Sequence, residues 1–79
     1  MTLATKTTQF ENLLHQKGLK LTKERVAILS GLMNEKGHFS VETLVYRLKQ
    51  KGKKVSRDTV YRNLPLLLEA GILRQSFQK

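Results

Sequence analysis

Between positions 49 and 62 the chain carries six cations, Lys49, Lys51, Lys53, Lys54, Arg57 and Arg62, against one acid, Asp58. Ammonium and guanidinium groups neutralise phosphate, and arginine adds a fork of donors that fits the O6 and N7 acceptors of guanine. Thr59 and Tyr61 stand beside the arginines, and either can meet a thymine methyl group. The chemistry of this set is recognition of a polyanion. A charge run is in general only a solvated face, so its meaning depends on the elements that carry it.

Other reactive constellations are missing from the sequence. There is no cysteine, and the two histidines, His15 and His38, are separated by two helical patterns. That leaves no local ligand set of metal-site spacing and no thiolate chemistry. His15 reads as a solvated helix residue. Glu42 and Asp58 occupy helix-start positions, neither histidine has a serine or carboxylate at catalytic spacing, and no glycine-rich phosphate loop exists. An enzyme is not expected.

The whole chain has 79 residues, with 15 Lys+Arg against 6 Asp+Glu, a net charge of +9 and 39% apolar residues. A chain of that length makes one domain and buries only about 60% of its unfolded surface, so a roomy catalytic cleft is improbable. The pI near 10.3 points to a polyanionic partner, nucleic acid first and an anionic membrane second, which charge alone does not separate. The basic stretch has no adjacent face of exposed large apolar residues of the amphipathic, membrane-binding kind. No signal peptide and no membrane-length apolar run occur, so the expected location is the cytoplasm.

Four helices and a strand must position these residues. Residues 1–6 are small and polar and read, with Thr7, as a flexible terminus. Thr8-Gln9-Phe10-Glu11 has the form of a capping box opening a first helix, with Phe10, Leu13, Leu14 and Lys17 at helical spacing and Gly18 at its end. Thr22 caps a second helix with Val26, Leu29 and Met33 on one stripe, Ile28 and Leu32 beside it, and Gly37 as its close. Gly31, inside that helix, suggests a close helix contact. Ser40 opens a third helix with Leu44, Val45 and Leu48 inward, running out to Gly52. Ser56 opens a fourth that buries Val60, Leu64, Leu67 and Leu68 before Gly71. Pro65 falls inside it, and one helix bent near Tyr61 fits the leucine pattern better than a division. Residues 72–77 suit a short strand.

At about 100° per residue, Val60, Leu64 and Leu67 define the inner side of the fourth helix, while Asp58, Thr59 and Arg62 point away and Tyr61 lies on the flank. A helix with Thr, Tyr and Arg near its exposed N-terminal half, preceded by lysines, is what reading of the DNA major groove requires. Within this helix-turn-helix layout the basic run reads as an interface.

The motifs Gly18-Leu19-Lys20-Leu21-Thr22-x-x-Arg25, His38-Phe39-Ser40, Asp58-Thr59-Val60-Tyr61-Arg62-Asn63-Leu64 and Glu69-Ala70-Gly71-Ile72-Leu73 follow one another in order. In that order and spacing the chain resembles the DNA-binding domain of the ferric uptake regulator family of bacterial metal- and peroxide-responsive repressors, over roughly residues 10–77. The resemblance implies a mainly α fold, a winged helix-turn-helix of four helices followed by a short β wing, with residues 1–79 as one domain. It makes residues 56–70 the recognition helix, places Tyr61 and Arg62 on the family's base- and phosphate-contacting pair, and places Lys20 on a lysine that enters an adjacent minor groove. Lys53, Lys54, Arg57 and Thr59 complete the expected interface with double-stranded DNA. His38 matches a family position that contributes to a regulatory metal site, whose other ligands come from beyond the wing and from a second domain. The resemblance therefore implies a divalent metal, iron, zinc, manganese or nickel, only for a full-length member, and no cofactor for this stretch alone. Likewise a homodimer is expected only with the dimerisation domain. A wing also needs a returning strand after Phe77, so the expectation is the DNA-binding part of a longer regulator. The alternative is a winged-helix protein–protein module using the exposed helix and Leu66.

Overall fold

The fold was taken from a computed structural model, which describes residues 3–33 and 40–73. Four helices follow in chain order: α1 (Leu3–Gln16), α2 (Lys23–Met33), α3 (Val41–Gln50) and α4 (Arg57–Glu69). Apolar residues at helical spacing meet in one core. Phe10 and Leu14 come from α1, Ala27, Ile28, Leu29 and Leu32 from α2, Val41, Leu44 and Leu48 from α3, and Val60, Leu64 and Leu67 from α4, with Val55 from the turn before α4. Each fully buried side chain of this size contributes about 1.5–3 kcal/mol, so a core this small leaves the fold sensitive to single changes. α2 and α4 each pack on α1 and α3 and also meet one another.

Caps close the helices locally. The Ser40 and Ser56 hydroxyls accept from the backbone N–H of Thr43 and Thr59, each at 3.1 Å, and Thr22 Oγ1 accepts from the Arg25 N–H at 3.2 Å. These oxygens satisfy N–H groups that the first turn of a helix leaves unpaired. At the end of α3, Gly52 takes a φ of +80°, which lets its N–H reach Lys49 O and the Lys53 N–H reach back to Leu48 O at 2.8 Å. Only glycine adopts that backbone without strain, and the same paired bonds close α1 at Gly18 and α4 at Gly71.

Several expectations shift. α1 begins at Leu3, so residues 3–7 are helical and Thr8 lies inside the helix instead of capping it. No Pro or Gly interrupts residues 3–8, and a Thr-x-x-Glu pattern starts a helix only where the preceding chain cannot already be helical. Val26 is 39% exposed, because the turn before α4 leaves an open groove beside it, lined also by Leu21, Ala27 and Val55. Ala27 takes its place in the core. Leu66, off the inward stripe of α4, is partly buried against the core. Leu68 and Val45 are half-buried. α4 runs unbroken through the exposed Pro65.

Ile72 and Leu73 do not begin a strand. Both of their N–H groups turn back to Leu67 O, at 3.0 and 3.3 Å, and close α4. The remaining strand positions 74–77, and Gly37 as the close of α2, lie outside the described residues. Among the described residues the fold is four helices without a strand.

Gly31 sets the α2–α3 distance. A Cβ there would stand 2.6 Å from Leu44 Cδ1 and 3.3 Å from Leu48 Cδ2, both on enclosed side chains. Gly31→Val should therefore destabilise the fold by about 2–3 kcal/mol in denaturant titration, despite the relief of glycine's backbone entropy. A stability equal to that of the unsubstituted chain would contradict this packing.

Candidate nucleic-acid interface

The α3–α4 turn and the first half of α4 carry the basic run. Lys51, Lys53 and Lys54 are exposed on the turn. Val55 and Val60 are buried on either side of the Ser56 cap, which holds the entry to α4 in one orientation. With Val60, Leu64 and Leu67 inward, Arg57, Asp58, Tyr61 and Arg62 form an exposed stripe at steps of one, three and four residues. Tyr61 is 46% exposed.

The sequence-derived residues are not equally available. Among the described residues the side chains of Tyr61, Arg62, Lys53 and Lys54 have no intramolecular polar partner. Arg57 does have one: its Nη1 lies 3.1 Å from Glu42 Oε2 on the first turn of α3, with both side chains over 60% exposed. The Glu42 carboxyl is held below its ordinary value, first by a backbone hydrogen bond at the start of α3 and then by the Arg57 guanidinium. Thr59 is half-buried, and its hydroxyl lies 2.9 Å from that of Ser56, so the cap engages it.

Lys20 is exposed in the loop between α1 and α2, and its backbone is tied down. Arg25 Nη1 donates to Lys20 O at 2.5 Å, while Arg25 Nε donates to Asn63 Oδ1 at 2.7 Å. Asn63 Nδ2 in turn donates to Thr59 O at 2.7 Å. Asn63 is 4% exposed, and among the described residues no buried side-chain polar atom lacks a partner. Sequence reasoning gave Arg25 and Asn63 no role. The available signal was a cation in the first turn of a helix, where the helix dipole disfavours it, and a buried-face asparagine one turn after Thr59.

Among the described residues no three His, Cys, Asp or Glu side chains gather as a metal-holding group. His15 is exposed in the last turn of α1, and His38 lies outside the described residues. No described helix is long and apolar enough to cross a membrane.

Known proteins were compared with the chain. The chain is 41% identical over 64 residues to a ferric uptake regulation protein of Synechocystis sp., covering 78% of this chain and 39% of that relative. Identity to the ferric uptake regulation protein of Bacillus subtilis is 38% over 61 residues, covering 76% and 41%. The peroxide operon regulator of Bacillus subtilis is 32% identical over 62 residues, covering 78% and 43%. The chain thus spans about two-fifths of the length of these curated relatives. No solved structure matches at a significant level. The family model of the ferric uptake regulator family matches residues 16–79. That match runs from the end of α1 through the whole of α4, taking in the basic turn and the Tyr61–Arg62 face, and on this ground the chain belongs to the ferric uptake regulator family.

Proposed function

We propose that this chain is the sequence-specific DNA-binding domain of a metal- or peroxide-responsive transcriptional repressor, with α4 as the helix that enters the major groove. The observation that carries the reading is the stripe of Tyr61 and Arg62 on the solvent face of α4, continuous in sequence with the exposed lysines of the preceding turn. A groove-reading helix needs donors free of intramolecular partners, and among the described residues the Arg62 side chain meets that need.

In this reading Arg62 bridges guanine acceptors, and Tyr61 meets a thymine methyl or a phosphate. Lys53, Lys54 and the N–H groups at the start of α4 set register on the backbone. Lys20 reaches the neighbouring minor groove. Arg57 serves a phosphate once it leaves Glu42, and Thr59 offers its methyl group, since its hydroxyl is engaged at the cap. A β wing after α4 completes the winged helix. Homodimerisation and metal or peroxide sensing, through iron, zinc, manganese or nickel, belong to the part of the regulator outside the stretch matched to the relatives, and the whole acts in the cytoplasm. His38 joins that metal site. A protein-docking role is the weaker reading, because docking faces are depleted in lysine at their centre and Leu66 is packed against the core.

A single copy should bind DNA weakly, with nonspecific affinity of ~10⁻⁴ to 10⁻⁶ M at physiological salt, since specificity in helix-turn-helix proteins rests on two half-sites. On a duplex selected in vitro against this chain, Arg62→Ala should cost about 1–3 kcal/mol and flatten the preference among operator variants. Unchanged gel-shift binding would refute the assignment. Glu42→Gln should act in the opposite direction. Freed from its carboxylate, Arg57 should tighten binding and steepen the dependence of log K on log salt by up to about one phosphate contact. Lowering the pH through the depressed titration of Glu42 should dissolve the same pair, whose stabilising effect on the free protein is present above the ordinary carboxylate range and lost on acidification.

A further inference from the structure

Arg25 sits where electrostatics does not favour it. In the first turn of α2 a cation opposes the helix dipole, and both oxygens it meets, Lys20 O and Asn63 Oδ1, are neutral. Its contacts are therefore geometric rather than charge-cancelling. One guanidinium spans two elements 43 positions apart in sequence: the loop that carries Lys20 and the helix that carries Tyr61 and Arg62. The ends of the loop are held, by the Leu19 N–H on Leu14 O at 2.8 Å and by Leu21 packed against the core, but Lys20 between them is tied across the fold through Arg25. The loop follows Gly18, whose φ is +73° with open space around it, and Leu19 and Lys20 are both exposed. On the other side the acceptor is rigid. Asn63 is buried at 4% exposure, and its Nδ2 is bonded to Thr59 O in the first turn of α4.

We propose that Arg25 and Asn63 are positioning residues, a brace that locks the Lys20 loop to α4 so that minor-groove and major-groove contacts are made by one preformed surface. The inference rests on the DNA-binding reading above. It goes beyond that reading in assigning the brace to residues that need not touch DNA at all: Asn63 is enclosed, and the Nε and Nη1 of Arg25 are committed within the protein. A preformed surface avoids the entropy of ordering the loop at the moment of binding. Arg25 also keeps its full charge beside the interface, because neither acceptor neutralises it.

The test is a mutant cycle on the full chain with the in vitro selected duplex as probe, each variant being checked for folding by circular dichroism. In the unsubstituted background, Lys20→Ala and Arg62→Ala should each weaken binding about tenfold, the equivalent of one charge-assisted contact. Asn63→Leu, which keeps the branched four-atom side-chain shape and removes both hydrogen bonds, should itself weaken binding and reduce the Lys20→Ala penalty to less than about twofold, while the Arg62→Ala penalty persists. Arg25→Lys, which keeps the charge and the helix but loses the fork, should do the same, and carries the test if Asn63→Leu does not fold. A merely structural role would lower thermal stability and leave the full Lys20 penalty in place in both backgrounds, which would overturn the brace. A chain indifferent to Lys20→Ala yet weakened by Arg62→Ala would also overturn it and leave the DNA-binding reading standing. Indifference to both would bring down the reading itself.

Discussion

The burial of Val60, Leu64 and Leu67 sets the rotation of α4 about its axis, and everything else at the interface follows from that rotation. A helix repeats every 3.6 residues, so once these three face the core, Arg57, Asp58, Tyr61 and Arg62 face solvent. The Ser56 cap and the flanking Val55 hold the entry of the helix, and the Gly52 turn brings α3 and the lysines of the turn alongside. Pro65 does not disturb this arrangement, because it lies on the exposed side and the apolar contacts on the other side carry the helix through it.

A surface with this many cations works against its own folding through mutual repulsion, and the protein manages the cost with few acids. Among the ion pairs at the periphery are Lys17 with Glu69 and Arg57 with Glu42, each at 3.1 Å and exposed to solvent. Exposed pairs of this kind add little to stability. Their larger effect is on availability: a pair with Glu42 holds Arg57 in reserve, while Arg62, about 1.4 turns further along α4, is left open among the described residues. Hydrogen bonding with neutral partners is the other device. Gln9 Nε2 ties α1 to Ala70 O at 2.6 Å, and the Arg25–Asn63 bond ties α2 to α4, so the helices are held in register without cancelling positive charge at the interface.

Much of the fold was legible in the sequence because its signals are local. Ser40, Ser56 and Thr22 cap where hydroxyl side chains can reach the first free N–H groups, and Gly18, Gly52 and Gly71 end helices where the backbone must turn left-handed. The core positions of α3 and α4 followed from their 3.6-residue spacing. The failures were equally physical. The Thr8 capping box is a pattern that a longer helix can contain, and Val26 lies on a stripe whose outer end meets a groove instead of a neighbour. Ile72 and Leu73 look like a strand by composition, but the amides a strand would use are spent on Leu67 O.

For the site the division is similar. The sequence alone located the cationic stretch, the side of α4 on which it lies, and the likeness to a family, since charge and periodicity need no long-range information. It could not show that Arg57 answers Glu42, that the Thr59 hydroxyl is taken by Ser56, or that Arg25 reaches both Lys20 and Asn63. Each of those, the local cap of Thr59 excepted, joins residues on different elements, and only the packing of α2, α3 and α4 around one small core brings them within hydrogen-bond distance. Composition thus determined what kind of partner the surface attracts. Tertiary structure decided which of its charges are free to meet that partner, because availability depends on what each side chain already touches.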